Sequence, residues 1–264
     1  MRKHGKETIL FRYSSRYMAE KLSKSYRMKK YWFILSSLVL LALGSCNKFL
    51  LSDIIETNEY SIEGTYTELQ VENAFDVTVS DTATKITVYA DQNVMPYVIV
   101  EKVGDKLKIH LKSFNFNIGM VLNEVVLPYN PDLKKVNLSG DSEFHSAYGL
   151  EGDEVEVKLS GASDFYCDID AEEVEIDLSG ASTINGNLTA TELDLDLSGA
   201  SNATLTGQVT TLDIELSGAS NAYLHCDGSI KVSLSGASDL HYTGDASTTG
   251  SNTSGGSDLI HDKL

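Results

Sequence analysis

The tripeptide Leu-Ser-Gly recurs at Leu138, Leu159, Leu178, Leu197, Leu216 and Leu234, with Thr253-Ser254-Gly255 as a weaker seventh copy. The intervals are 21, 19, 19, 19, 18 and 19 residues. A near-constant period over six or more copies is the mark of stacked, self-similar units, and it restricts the fold more than any other feature of the chain. Each copy opens with strict alternation. Val155/Val157/Leu159, Val174/Ile176/Leu178, Leu193/Leu195/Leu197, Leu212/Ile214/Leu216 and Ile230/Val232/Leu234 are apolar, with charged or polar residues between them. That alternation predicts a strand with one buried face. Ser-Gly-Ala-Ser follows, and then Asp164, Thr183, Asn202, Asn221 or Asp239. Gly and Asn/Asp tolerate left-handed backbone, so this stretch predicts a corner, with stacked serines and with Ala162, Ala181, Ala200, Ala219 and Ala237 inside the bend. A shorter alternating run, such as Phe165-x-Cys167-x-Ile169, and a polar turn complete the unit.

Two strands in 19 residues cannot bury an apolar face alone, but copies stacked about 4.8 Å apart can. The expected fold is all-β: a parallel (right-handed) β-helix, or solenoid, with coils of about 19 residues. In this register Cys167 and Cys226 face inward on coils three apart, roughly 14 Å at the strand spacing. That is too far for a disulfide, so both are expected to be small core residues.

Residues 60–136 have a different texture. Alternating runs at 67–80, 85–90, 96–101, 106–112 and 124–128 are separated by Asp/Gly/Asn turns and carry no 19-residue period. They predict a β-rich N-terminal cap over the first edge of the solenoid, an edge that would otherwise template aggregation. The solenoid and a C-terminal cap are then assigned to 137–264, where the Gly/Ser/Thr-rich stretch 244–256 and the final DLIHDKL close the far edge.

Residues 28–46, MKKYWFILSSLVLLALGSC, combine a basic start, an apolar run too short to span a bilayer and a small-residue junction. They read as a secretory signal over 28–45. Leu43-Gly44-Ser45-Cys46 resembles the lipobox of bacterial lipoproteins, which implies a lipidated Cys46 as first mature residue and the membrane as a partner through that lipid. Residues 1–27 fit no part of the signal and read as a mis-called upstream start, whereas 46–59 read as a tether.

Ten of the 21 basic residues and two of the 38 acidic ones precede Cys46, which leaves 11 bases against 36 acids, a formal charge of −25. No arginine follows Cys46. Such a surface repels nucleic acid and polyanionic polysaccharide, and nucleic-acid binding is excluded because little remains to neutralise phosphates.

The runs Phe75-Asp76-Val77-Thr78-Val79, Asp91-Gln92-Asn93-Val94-Met95-Pro96, Gly104-Asp105-Lys106-Leu107-Lys108-Ile109 and Val125-Val126-Leu127-Pro128, together with the repeated Leu-Ser-Gly-Ala-Ser, resemble the "putative auto-transporter adhesin, head GIN domain" family over roughly residues 65–260. The resemblance implies a β-helical, secreted or lipid-anchored protein of Gram-negative bacteria with an adhesin role. It implies no catalytic residues and no cofactor. The first corner, Gly140-Asp141-Ser142-Glu143, departs from the later Gly-Ala-Ser pattern.

Candidate chemistry is confined to the outward positions of the first strands. One column runs Lys135, Glu156, Glu175, Asp194, Asp213, Lys231, and the other Asn137, Lys158, Asp177, Asp196, Glu215, Ser233. Like charges stacked in a sheet repel. The seven carboxylates Glu156, Glu175, Asp177, Asp194, Asp196, Asp213 and Glu215 are therefore either a cation-binding face suited to Ca²⁺ or a solvated face that keeps the protein soluble. The histidines show no HxH or HExxH spacing, and His225 and His241 fall on outward positions. The chain reads as a non-enzymatic cell-envelope lipoprotein of the adhesin kind, with a periplasm-facing scaffold as the alternative. An enzyme is disfavoured because the acids follow the repeat, whereas catalytic groups would break it, and because no arginine follows Cys46. The expected partner is the host or cell-surface glycan or protein that an adhesin meets, in the alternative lipid or another envelope component, and in the disfavoured third reading the polysaccharide substrate of a carbohydrate-active β-helix enzyme. A deep cleft with an irregular acid cluster would mark the enzyme, and flat faces that follow the repeat the other two.

Overall fold

The computed structural model describes residues 51–52, 54–112 and 123–262. Within them, eighteen strands form one hydrogen-bonded system. In chain order they are β1 (Ile55–Tyr60), β2 (Glu68–Glu72), β3 (Asp76–Ser80), β4 (Ile86–Asp91), β5 (Val98–Val103), β6 (Lys106–Leu111), β7 (Glu124–Pro128), β8 (Lys135–Ser139) and β9 (Glu143–His145). The remainder are β10 (Leu150–Leu159), β11 (Asp164–Tyr166), β12 (Ile169–Leu178), β13 (Thr183–Leu197), β14 (Asn202–Leu216), β15 (Asn221–Leu234), β16 (Asp239–Thr243), β17 (Ser247–Thr253) and β18 (Asp258–His261). From β8 onward every pairing between coils is parallel, and Leu138, Leu159, Leu178, Leu197, Leu216, Leu234 and Thr253 are successive partners. The fold is the expected β-solenoid, about seven turns of about 19 residues.

The expected polar turn at the end of each unit is absent from the middle coils. β13, β14 and β15 run unbroken from the second strand of one coil into the first strand of the next. The bend falls where two successive residues both face outward, as at Thr191-Glu192 and Thr210-Thr211. Shifting the inside/outside alternation by one residue turns the chain without breaking its ladder.

The corners hold a second difference. The buried residue is the final serine of each Ser-Gly-Ala-Ser, not the alanine: Ser163, Ser182, Ser201, Ser220 and Ser238 are 0% exposed, as is Ser142 in the first corner. Each Oγ donates 2.9 Å to the carbonyl three residues back, from Ser142 to Ser139 through Ser238 to Ser235. A hydroxyl enclosed in this way satisfies its own loop, which an alanine cannot do. Alanine instead sits outside, its N–H donating 2.7 Å to the glycine carbonyl of the preceding coil at Ala181, Ala200, Ala219 and Ala237. The glycines need both their freedoms. Gly199 has φ +79°, and a Cβ there would lie 2.4 Å from Gly180 O.

The ladder does not stop at residue 137, the expected edge of the solenoid. β2 pairs parallel with β8 and β3 with β9, which makes 68–80 a coil of its own. β6 and β7 stack in turn on β2 and β3, also parallel. Val71 and Leu138 are partners although they are remote in sequence, because β6 and β7 are laid on the other side of β2 and β3. No periodicity search finds a coil separated from its neighbour in this way. Its corner is also written differently. Asn73 (φ 72°) and Ala74 (φ 61°) take the left-handed turn, Asn73 Oδ1 accepts from Leu111 N–H at 3.0 Å, and Phe75 occupies the buried serine position. Outside β6 and β7 the pairing turns antiparallel, with β5 on β6, β4 on β7 and β1 on β4. These antiparallel strands lie beyond the parallel ladder, and β1 takes in Ile55–Glu59, which the sequence assigns to the tether but which pair with β4. At the other end β17 and β18 pair parallel with β15 and β16, so the Gly/Ser/Thr-rich segment continues the coils and Ser254-Gly255-Gly256 is a true corner.

Candidate binding surface

All seven sequence-predicted carboxylates come together in two neighbouring columns. Glu156, Glu175, Asp194 and Asp213 are consecutive partners, continued by Lys135 on one side and Lys231 on the other. Asp177, Asp196 and Glu215 follow Lys158 in the second column. The lysines neutralise the two ends of the patch. Lys135 meets Glu154 at 3.1 Å and Glu156 at 2.7 Å, and Lys158 meets Glu156, Glu175 and Asp177 at 2.8–2.9 Å. Lys231 meets Asp213 at 2.6 Å. Among the described residues no ion pair reaches Asp194, Asp196 or Glu215, which form the unneutralised centre.

The acid–base balance follows that geometry. Hydrogen bonds to Glu175, Asp177 and Glu156 hold Lys158 well above the usual lysine range. Partial burial works to raise the Glu156 carboxyl, but hydrogen bonds from Lys135 and Lys158 outweigh it and hold the carboxyl low. Asp196 behaves oppositely. Desolvation, then repulsion from Asp194, Glu215, Asp177 and Asp213, pushes its carboxyl up to about 6. Asp194 is raised for the same reasons. An open groove of about 550 Å³ runs along the second column, lined by its outward residues from Lys158 to Glu215, by the first corner serines from Ser160 to Ser217 and by the leucines between them. Among the described residues no three His, Cys, Asp or Glu side chains are grouped so as to hold a metal ion.

Cys46 lies outside the described residues. Cys167 and Cys226 are buried and unpaired, and burial pushes the Cys167 thiol up to about 11, which leaves it unreactive near neutral pH. His225 is outward, as its register requires, and is fixed between Thr243 Oγ1 at 2.8 Å and Asp227 Oδ2 at 3.2 Å.

The face built by the second strands was not singled out from the sequence. Its outward column is His145, Tyr166, Asn185, Thr204, Tyr223, His241 in consecutive coils. Tyr166 stacks on His145 with ring centroids 4.6 Å apart, and Tyr223 on His241 at 4.7 Å. Beside Tyr223 an open depression of about 580 Å³ is lined by Thr204, Thr206, Gln208, His225 and Thr243. The signal that points to it is the one shortened interval of the repeat, Leu216 to Leu234. There the register slips, with four residues of β14 between Thr204 and Val209 facing two of β15 between Tyr223 and Cys226.

Residues 65–246 match the model of the family described as "putative auto-transporter adhesin, head GIN domain". No curated protein matches the chain. Among solved structures, a "putative lipid binding protein" from Parabacteroides distasonis aligns at a TM-score of 0.65 and 19% identity, covering 82% of this chain and 100% of that one. A "putative adhesin" from the same organism aligns at 0.63 and 18%, covering 83% and 100%. Another "putative adhesin", from Bacteroides fragilis, aligns at 0.65 and 17%, covering 81% and 98%. At these identities the likeness concerns the fold.

Proposed function

Because the chain belongs to the "putative auto-transporter adhesin, head GIN domain" family, we propose that it is a non-enzymatic cell-envelope protein that acts by presenting its ladder faces to partners at the cell surface. In this reading lipidated Cys46 holds it to the outer membrane, and the tether is the stretch between Cys46 and β1, since Ile55–Glu59 are paired with β4. The observation that carries the proposal is the register. Outward side chains stand in continuous columns across successive coils, so each face is one extended, rigid surface set by the backbone ladder. Such a surface suits binding over a long contact, where preorganisation limits the entropy lost on association.

The lipid-binding description of one structural neighbour favours no second reading. The groove is open, its protruding side chains are carboxylates, an ammonium and hydroxyls, and Leu138, Leu159, Leu178, Leu197 and Leu216, which also line it, are themselves almost wholly buried, so it offers no enclosed apolar cavity for an acyl chain. The seven carboxylates are best read as a solvated acidic face, because among the described residues no three of them are grouped so as to hold a metal ion.

Protease treatment of intact cells, with lysed cells as the control, tests the surface location. Loss of the solenoid from intact cells, or antibody labelling of whole cells where the solenoid resists the protease, is the expected result. Protection from both reagents on intact cells would overturn the surface role. The lipid anchor is checked separately: metabolic labelling with an acyl precursor is expected to mark the wild type and not Cys46→Ser.

A further inference from the structure

The second-strand face combines ring faces, hydroxyls and amides in a spacing that points to a ligand. Tyr166 and Tyr223 are 37% and 46% exposed. Each has its histidine on the side away from the other tyrosine, since His145 precedes Tyr166 and His241 follows Tyr223 in the column. Asn185 and Thr204 fill the two places between the tyrosines in the column, and both are shorter, so the outer ends of the two rings stand proud of them on that side. Three strand spacings separate the two tyrosines, roughly 14 Å.

The depression beside Tyr223 has a local cause. Where the repeat interval shortens, β14 bulges at Leu205–Gln208. Gly207 takes φ +110°, and a Cβ there would lie 2.4 Å from Leu188 O, so the bulge depends on this glycine. Bulges re-aim side chains, and here the polar ones are held in place. Gln208 Nε2 donates to Asp227 Oδ2 at 2.9 Å, and Asp227 also holds His225.

We propose that the face between Tyr166 and Tyr223, with the depression at the register slip, is a binding site for an uncharged oligosaccharide. A sugar ring offers C–H groups on its faces, which pack on aromatic rings, and hydroxyls around its rim, which both donate and accept. Asn185, Thr204, Thr206 and Gln208 supply partners of both kinds. The strongly acidic chain repels polyanions, which excludes anionic glycans as the ligand. Rigid tyrosines with adaptable amides and hydroxyls are also the composition that binding surfaces elsewhere use to gain area at low entropic cost. This site rests on the adhesive reading above and names its partner class.

The test is native affinity electrophoresis of the full-length protein in gels carrying xylan, mannan, galactomannan or a soluble β-glucan, with alginate as the anionic control. At least one neutral polysaccharide is expected to retard the wild type. Tyr223→Ala should weaken that retardation at least about tenfold, as truncation of a central aromatic anchor does, whereas Tyr223→Phe and Asp177→Asn should retain it. Tyr166→Ala is the second variant, should Tyr223→Ala fail to fold by circular dichroism. No retardation by any neutral polysaccharide, retardation by alginate alone, or retardation unchanged in both alanine variants overturns the proposal. Attachment of whole cells separates the two readings. If purified protein binds neutral glycan but cells carrying it attach no better than cells without it, the adhesive reading falls and this site stands. If cells carrying Tyr223→Ala and Tyr166→Ala attach as the wild type does, this site falls and adhesion stands.

Discussion

At the scale of the residue, the corner of each coil depends on a glycine and a serine with distinct tasks. The glycine must turn left-handed and also leave room for the glycine carbonyl one coil below. Gly199→Ala violates both conditions, with φ +79° and a Cβ 2.4 Å from Gly180 O. Its expected cost is more than about 2 kcal/mol, since strain and overpacking add. Thermal denaturation followed by circular dichroism checks this, and an unchanged melting temperature would show that the corner relaxes. The serine closes its own loop by a 2.9 Å bond in a fully buried site. Phe75 fills the same position in the 68–80 coil, which shows that the fold requires the space filled and the backbone satisfied, not serine as such.

At the scale of the element, the first strands carry a charge pattern whose ends are neutralised and whose centre is not. Asp196 stands at that centre with a carboxyl raised to about 6, above its unfolded value, so its ionisation opposes folding. The folded state then holds a proton that the unfolded chain has lost over the window between the unfolded carboxylate pKa and about 6. Stability from this group rises as pH falls through 6 and levels off near 4. Asp196→Asn is therefore expected to stabilise the protein above pH 6 by roughly 1 kcal/mol, a figure discounted for solvent screening of an exposed group. The gain should vanish by about pH 4. Melting curves of the two proteins at pH 4 and pH 7.5 test the sign, and a gain that persists at pH 4 would assign the effect to packing.

At the scale of the whole molecule, the middle coils are interchangeable and the N-terminal ones are not. Deleting residues 179–197 joins Leu178 to Ser198, which keeps Leu-Ser-Gly-Ala-Ser intact and the register in phase. The shortened protein is expected to fold cooperatively with a lower melting temperature, because a solenoid is held together by neighbouring coils. Deleting residues 68–80 should abolish folding, since that coil lies between β6/β7 and β8/β9 and no neighbour in sequence replaces it. Circular dichroism and size-exclusion chromatography of both deletions decide between these outcomes.

The 19-residue repeat alone determined the solenoid, the inward columns, the placement of Cys167 and Cys226 and the alignment of all seven carboxylates. Each follows from a strand period of two and from parallel stacking, which are local rules applied at a fixed interval. Only the tertiary structure decided which corner residue turns inward, because that depends on the glycine's backbone angle and on the carbonyl one coil away. It alone revealed the 68–80 coil, whose partners in β8 and β9 follow only after the whole of 81–134, since a ladder can be completed by strands that are adjacent in space and remote along the chain. The aromatic face was legible only once register was known. Tyr166 and Tyr223 stand three coils apart, and what joins them is the stacking of His145 and His241 on their far sides and the bulge that the shortened coil opens between them.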